Sequence, residues 1–267
     1  MRGRTSETEL VHMLAAEVVK LVSMRSTRWC GALIVVLACS WAVVWAGIHR
    51  RATDLSMPEF ADNMRASVNN TQAGCIAGLV VVMIMAVLAA TTEYRTGTIK
   101  LTFLTTPSRG KVVFAKTAAV ALLAALIGEG TAWLAYGTAK LVNPSGVASI
   151  TTGAQLRAVA GVGLVYMVGA ATAVAVGMLI KNTVAAVALI VLYPLLIENV
   201  VSAIPGVGSA IEPWLPFTVA LHFLFDSTPE SLENAAILPG WWAFAYITTI
   251  ATVLTATASI VITKRDA

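Results

Sequence analysis

The chain of 267 residues is 58% apolar and 12% charged, and its mean hydropathy is +0.80. Soluble domains carry about 25% charged residues, so the composition excludes a water-soluble globular fold. The formal net charge is +4. Because the basic residues follow a membrane-sidedness pattern, described below, we expect no nucleic-acid partner.

Residues 1–28 are polar and mixed in charge and predict a cytoplasmic amphipathic helix that lies in the membrane interface. Four apolar residues in it recur at helical spacing: Leu10, Leu14, Val18 and Leu21. Glu17 and Lys20 fall on another face of the same helix. An ordinary soluble helix is the alternative interpretation.

Six apolar stretches follow, each long enough to cross a bilayer core of about 30 Å, which takes roughly 20 helical residues. They cover about 29–48, 73–92, 112–139, 156–180, 184–204 and 241–262. Residues 29–267 therefore predict an all-α integral membrane domain of six transmembrane helices. Pro194 lies inside the fifth stretch and is expected to kink it.

Residues 205–240 separate the fifth and sixth stretches and hold five of the nine prolines. The apolar run 214–225 within them is too short and too broken to cross a bilayer. Irregular backbone at membrane depth persists only where protein covers it. We therefore expect re-entrant helices here, on the extracellular side.

The lysine and arginine residues predict the orientation, because these residues accumulate on the cytoplasmic side of membrane proteins. With both termini inside, the outer segments hold five of them: Arg50, Arg51, Arg65, Lys140 and Arg157. The other 13 of the 18 are then cytoplasmic. We expect a multi-pass protein of the cell (plasma or inner) membrane with both termini in the cytoplasm.

Motifs of catalysis and nucleotide binding are missing from the sequence. It contains no phosphate-binding GxxxxGK[ST] loop, no HExxH and no GxSxG. His12, His49 and His222 are scattered, and the three cysteines show no metal-ligand spacing. We expect no catalytic residue, no metal and no cofactor in this chain, which is not an enzyme by itself.

Two acidic residues, Glu129 and Glu198, lie inside predicted spans, in the outer half of the bilayer. A charged group at mid-membrane costs about 3 kcal/mol on insertion scales, so such residues usually face a cavity or a partner. One interpretation is that they line a transport pathway. The other is that they are protonated and hydrogen-bonded within the bundle, or lie near the outer interface.

The cytoplasmic segment 93–111, between the second and third spans, mixes charged and apolar residues before it breaks at Pro107 and Gly110. A short helix of this kind, held parallel to the membrane, suits docking in a groove on a partner. An ordinary positively charged loop with no partner fits the same residues equally well.

This segment resembles the cytoplasmic loop of the ABC-2 family of ABC-transporter permeases. The matching residues are Glu93, Gly97, Thr98, Ile99, Pro107 and Lys116. Arg109 departs by one place from the Pro-x-x-Arg turn of that family. The six spans, the short link at Lys181 and Asn182 and the acid at Glu198 are also similar, so the resemblance covers nearly the full chain.

The resemblance implies a permease subunit of an ATP-binding cassette exporter for a hydrophobic or amphipathic compound, such as a drug, an antibiotic or a lipid. A separate cytoplasmic ATPase subunit would bind ATP and Mg, and a second permease copy or a paralogue would complete a homodimer or heterodimer in membrane lipid. The implied coupling helix that docks on the ATPase contains Glu93, Tyr94, Arg95, Gly97, Thr98, Ile99, Lys100, Leu101, Phe103 and Leu104.

Two other functions compete with the exporter. One is a membrane anchor or sensor that recruits a cytoplasmic partner through the same loop without transporting anything. The other is a secondary transporter driven by ions through Glu129 and Glu198. Secondary transporters often show broken helices in corresponding halves, and Pro194 has no counterpart in the second span.

Overall fold

The structure is a computed structural model that describes residues 2–57, 67–97, 109–225, 238 and 240–265. Within these residues the regular structure is helical throughout. In chain order the α-helices as far as the fifth span are α1 (Arg2–Ser23), α2 (Arg25–Asp54), α3 (Val68–Gln72), α4 (Gly74–Thr96), α5 (Arg109–Val142), α6 (Gly153–Ile180) and α7 (Thr183–Leu192). The C-terminal part comprises α8 (Glu198–Ser202), α9 (Gly208–Ile211), α10 (Pro216–Leu224) and α11 (Gly240–Arg265).

Six of the described helical segments are long and apolar enough to cross a membrane, which confirms the expectation of an all-α membrane protein with six spans. They are Arg25–Asp54, Val68–Tyr94, Gly110–Val142, Gly153–Ile180, Thr183–Ser202 and Gly240–Lys264. The second segment joins α3 and α4, and the fifth joins α7 and α8.

Helix α6 lies at the centre of the bundle and packs against α4, α5 and α11. Small residues let the helix backbones approach closely, as is common between membrane helices. A Cβ atom on Gly163 would lie 2.8 Å from the carbonyl oxygen of Ala125 in α5. Tyr166, 1% exposed, donates a hydrogen bond from its hydroxyl to the Cys75 carbonyl at 2.7 Å. A Cβ atom on Gly128 in α5 would lie 2.8 Å from the Tyr166 ring, so that glycine makes room for the buried ring.

Helix α1 packs on the bundle along α5. Leu21 is buried, and Leu14 and Val18 pack against the core, so the apolar repeat seen in the sequence faces the protein. The side chain of Leu10 lies outside the described part of the chain. The placement of this helix in the membrane interface stays a prediction.

Pro194 interrupts the α-helical hydrogen bonding of the fifth span. A π-helical turn, Tyr193–Ile197, stands between α7 and α8. Proline has no N–H to donate and its ring crowds the preceding turn, so a regular α-helix cannot pass through this position unchanged. Such turns within helices often mark functional sites.

After the fifth span the chain forms short helices. Helix α9, a 3₁₀ turn at Glu212–Trp214 and α10 follow one another, and α10 packs on α11 and α6. Residues 226–237 and Pro239, which complete the region expected to be re-entrant, lie outside the described residues. Re-entrance into the bilayer stays a prediction.

Candidate functional site

A cluster of four charged side chains joins α1, α4 and α5 at the end of the bundle where α4 finishes. Lys116 places its Nζ 2.8 Å from Glu93 Oε1 and 3.0 Å from Glu17 Oε2. Lys20 donates a further hydrogen bond to Glu93 Oε1. Glu93 comes from α4, Lys116 from α5, and the remaining two side chains come from α1.

Burial differs sharply within this charge cluster. The side chains of Glu93 and Lys116 are 4% and 3% exposed, whereas that of Lys20 is 47% exposed. Buried ions are tolerated when they are paired and hydrogen-bonded. The two acids balance the two bases, so the cluster is formally neutral and ties three helices together at one point.

A second set of contacts lies beside the charge cluster, at the link between α6 and α7. Lys181 ends α6 in the left-handed conformation, with φ 57°, and its Nζ lies 5.7 Å from the centre of the Tyr94 ring. Asn182 caps α7 by accepting from two backbone N–H groups. Thr183 donates to the Thr91 hydroxyl at 2.9 Å. The end of α4 therefore contacts the fourth and fifth spans too.

Helix α4 ends at Gly97, whose φ of 71° is left-handed and favours glycine. Among the other residues predicted to form the coupling helix, Tyr94 is described, and of Arg95 only the helical backbone is described. The remaining ones lie outside the described residues: Thr98, Ile99, Lys100, Leu101, Phe103 and Leu104. The charge cluster is thus the described part of the protein that leads directly into this segment.

Sequence reasoning placed Glu93 in the coupling helix and named Lys116 only as a residue of the family motif. It missed the contacts that both make with Glu17 and Lys20. A signal was present, because these two residues stand three apart in α1, share one face and carry opposite charges. Their contacts depend on how α1 packs across α5. The spacing of residues within α1 gives no information about that packing.

A cavity of about 400 Å³ lies between α4, α6, α7, α10 and α11. Among the described residues that line it, none carries a charge, and two carry hydroxyl groups, Thr172 and Tyr193. Its wall from α10 is made by Pro216, Phe217 and Ala220. The volume falls in the range of small-molecule sites, roughly 300–1,000 Å³.

Glu198 is 6% exposed and caps α10 from the neighbouring helix α8. Its Oε1 accepts from Phe217 N at 2.9 Å, and its Oε2 accepts from Thr218 N at 3.1 Å. The Thr218 hydroxyl donates to Oε2 at 3.3 Å. A carboxylate is favourable here because the first N–H groups of a helix lack intrahelical partners and carry partial positive charge.

Glu129 lies apart from Glu198, on α5. Its Oε1 accepts from Trp133 Nε1 at 2.7 Å, and a Cβ atom on Gly163 would lie 3.0 Å from its Oε2. The structure does not bring the two acids together. Neither acid is among the described residues that line the apolar cavity, although Glu198 holds one of its walls.

No group of three or more histidine, cysteine, aspartate or glutamate side chains within the described ranges is arranged to hold a metal ion. The chemistry that this part of the chain offers is ion pairing at the end of α4 and apolar contact in the cavity.

Comparison with protein families matches residues 13–196 to the family described as ABC-2 family transporter protein. The match covers more than half of the 267 residues, from within α1 to the π-helical turn, and so includes the whole charge cluster. Comparison with curated proteins gives no match for this chain.

Proposed function

Because the chain belongs to the ABC-2 family of transporter proteins, we propose that it is the permease subunit of an ATP-binding cassette exporter. The family is the membrane component of transporters that typically work with an ATPase partner. In the proposal a separate cytoplasmic subunit binds ATP and Mg, and this chain moves a hydrophobic or amphipathic compound outward.

The observation that carries the proposal is the buried ion pair of Glu93 and Lys116. It fixes the end of α4, where the proposed coupling helix 93–104 begins, to α5, and through Glu17 and Lys20 to α1. A displacement at the end of α4 is therefore passed to α5 and α1 as well. An isolated positively charged loop needs no buried ion pair behind it.

The apolar cavity supports the proposed class of cargo. Its described lining is uncharged, which suits a molecule that partitions into lipid rather than a sugar or an ion. A drug, an antibiotic or a lipid belongs to this class.

The orientation and the assembly belong to the same proposal. Six candidate spans make the chain a multi-pass membrane protein, and we place both termini in the cytoplasm of a cell whose plasma or inner membrane holds the chain. The fifth span exposes a row of large apolar side chains: Leu189, Leu192, Leu195, Leu196 and Val200. This face is available to a second permease copy or a paralogue as well as to lipid.

Affinity purification of the tagged chain from mild detergent, followed by mass spectrometry, tests the proposal. We expect a cytoplasmic ATPase to co-purify in stoichiometric amount, and to be lost when residues 98–104 are scrambled. The control scrambles the loop 144–147, at the far end of α5, and should keep the partner. Purification without any nucleotide-hydrolysing protein, or retention of the partner after the first scramble, would contradict the proposal.

A further inference from the structure

We propose that the cavity between α4, α6, α7, α10 and α11 binds an uncharged apolar ligand, and that α10 is its displaceable wall, held in place by Glu198. This inference deepens the proposed export function by naming a site and a ligand class. The binding step itself requires no ATPase, so it is testable separately.

The lining excludes a charged ligand on energetic grounds. A charged group that enters loses its water shell and needs hydrogen bonds or counter-ions in return. The described lining has no titratable side chain other than the Tyr193 phenol. The Thr172 hydroxyl already donates to the Val168 carbonyl at 3.0 Å. An apolar molecule loses little on entry and gains contact with aliphatic and aromatic side chains.

The N-terminal end of the α10 wall is held at two points. The hydroxyl of Tyr246 in α11 donates to the Trp214 carbonyl, just before α10, at 2.9 Å, and Glu198 accepts from the first N–H groups of α10. Helix α10 has nine residues, and its N-cap residue Leu215 makes no side-chain capping bond. The described side chain that binds its first N–H groups is Glu198, which comes from another helix. The C-terminal end is fastened differently, because Phe223 packs against Phe244 and Trp241 of α11, with ring centres 5.1 Å and 5.4 Å apart.

The ligand site and the fastening of α10 share one irregular turn. Tyr193 begins the π-helical turn that leads into Glu198, lines the cavity, and lies 6.4 Å from the Phe217 ring. The Glu198 contact joins the π-helical turn to α10. A ligand that presses on Tyr193 and Phe217 therefore acts on both of the elements that this contact joins. Glu198 is a positioning residue in this account, since it touches α10 and not the cavity.

The cavity is tested with the purified chain in nanodiscs, without nucleotide or partner. The probe is an uncharged long-chain alcohol bearing a diazirine, and the competitor is an analogue with a quaternary ammonium at mid-chain. We expect saturable crosslinks in α6 and α10 that the charged analogue does not displace. Val176→Trp fills the cavity and should weaken crosslinking roughly tenfold or more, whereas Val184→Trp, at a position 79% exposed, should not.

Ala220→Leu fills the same cavity from α10 and covers the case in which Val176→Trp does not fold. Crosslinks that do not saturate, equal displacement by the charged analogue, or unchanged labelling in both folded filling variants would overturn the site. Because no ATPase is present, these outcomes do not depend on whether the exporter proposal holds.

The role of Glu198 is tested by the accessibility of α10. In a background with Cys30, Cys39 and Cys75 replaced by alanine, Ala220→Cys places a thiol where the native residue is 6% exposed. Adding Glu198→Gln turns one acceptor oxygen into an N–H donor that faces the donors of α10. We expect labelling by a water-soluble maleimide to rise roughly tenfold, and Glu212→Gln to leave it unchanged. Equal labelling in all three proteins would show that Glu198 does not hold α10.

Discussion

Replacement of Lys116 by methionine removes one partner of the buried ion pair and leaves the Glu93 carboxylate with Lys20 alone. Both side chains of the pair are almost fully buried, 3% and 4% exposed. Breaking such a pair by removing one partner costs about 3–5 kcal/mol, because the other charge stays buried, and the half-exposed Lys20 offsets only a small part of this cost. We therefore expect Lys116→Met to lower the free energy of unfolding by about that amount.

Lys20→Met is the matched control, because Lys20 contacts the same Glu93 oxygen. Its side chain is 47% exposed, and exposed ion pairs contribute about 0–1 kcal/mol. We expect this variant to unfold within about 1 kcal/mol of the wild-type chain. The two variants share the substitution and the Glu93 partner, and they differ in burial and in the additional contact of Lys116 with Glu17.

The single variant Glu93→Leu and the double variant Glu93→Leu with Lys116→Met complete a thermodynamic cycle. Glu17 and Lys20 then remain with opposite charges, so no net charge is left in the cluster. Apolar replacement of a whole buried pair is often neutral, and we expect the double variant to be more stable than Lys116→Met. Denaturation in detergent, followed by reaction of the native cysteines with a fluorescent maleimide, measures the free energy of unfolding of all five proteins, the wild type included. Additive losses of stability for Glu93→Leu and Lys116→Met, or equal losses for Lys116→Met and Lys20→Met, would show that the buried pair does not stabilise the end of α4 in this way.

Two glycine pairs give further predictions. Gly97→Ala forces a left-handed φ of 71° on a residue with a Cβ, which costs about 1–2 kcal/mol. We expect it to reduce the coupling of transport to the partner ATPase. Gly137→Ala is the control and should leave the coupling unchanged, because its Cβ would have no atom within 4 Å. Gly128→Ala places a Cβ 2.8 Å from the Tyr166 ring and should destabilise the bundle by about 1–3 kcal/mol. The Cβ of Gly130→Ala meets open space, so this variant should stabilise its helix by up to about 1 kcal/mol. Thermal melts in detergent compare the two variants. A Gly128→Ala chain more stable than Gly130→Ala would contradict the packing of α5 on α6.

The membrane-spanning helices were predictable because their cause is local. A bilayer demands a run of apolar residues of fixed length with its backbone hydrogen bonds satisfied internally, and each run stands out in the sequence. A disturbance of the fifth span at Pro194 was predictable for the same reason, because the missing N–H of proline acts within one helical turn. The structure adds that the interruption takes the form of a π-helical turn.

The contacts of the candidate site were less predictable because they join distant parts of the chain. Glu17 and Lys116 stand 99 residues apart, and Glu198 caps a helix that begins 18 positions later, at Pro216. Hydropathy indicated that a buried acid needs a partner, but not that backbone N–H groups of α10 would provide it. The apolar cavity is formed by five helices at once, and no spacing in one of them reveals it.

ATP hydrolysis in proteoliposomes tests whether a separate ATPase works through the end of α4. The co-purifying ATPase is reconstituted with the wild-type chain or with a chain in which residues 98–104 are scrambled. We expect the hydrolysis rate to depend on the wild-type permease and this dependence to disappear in the scrambled chain. An identical rate with either chain, or with liposomes that lack the permease, would contradict this expectation.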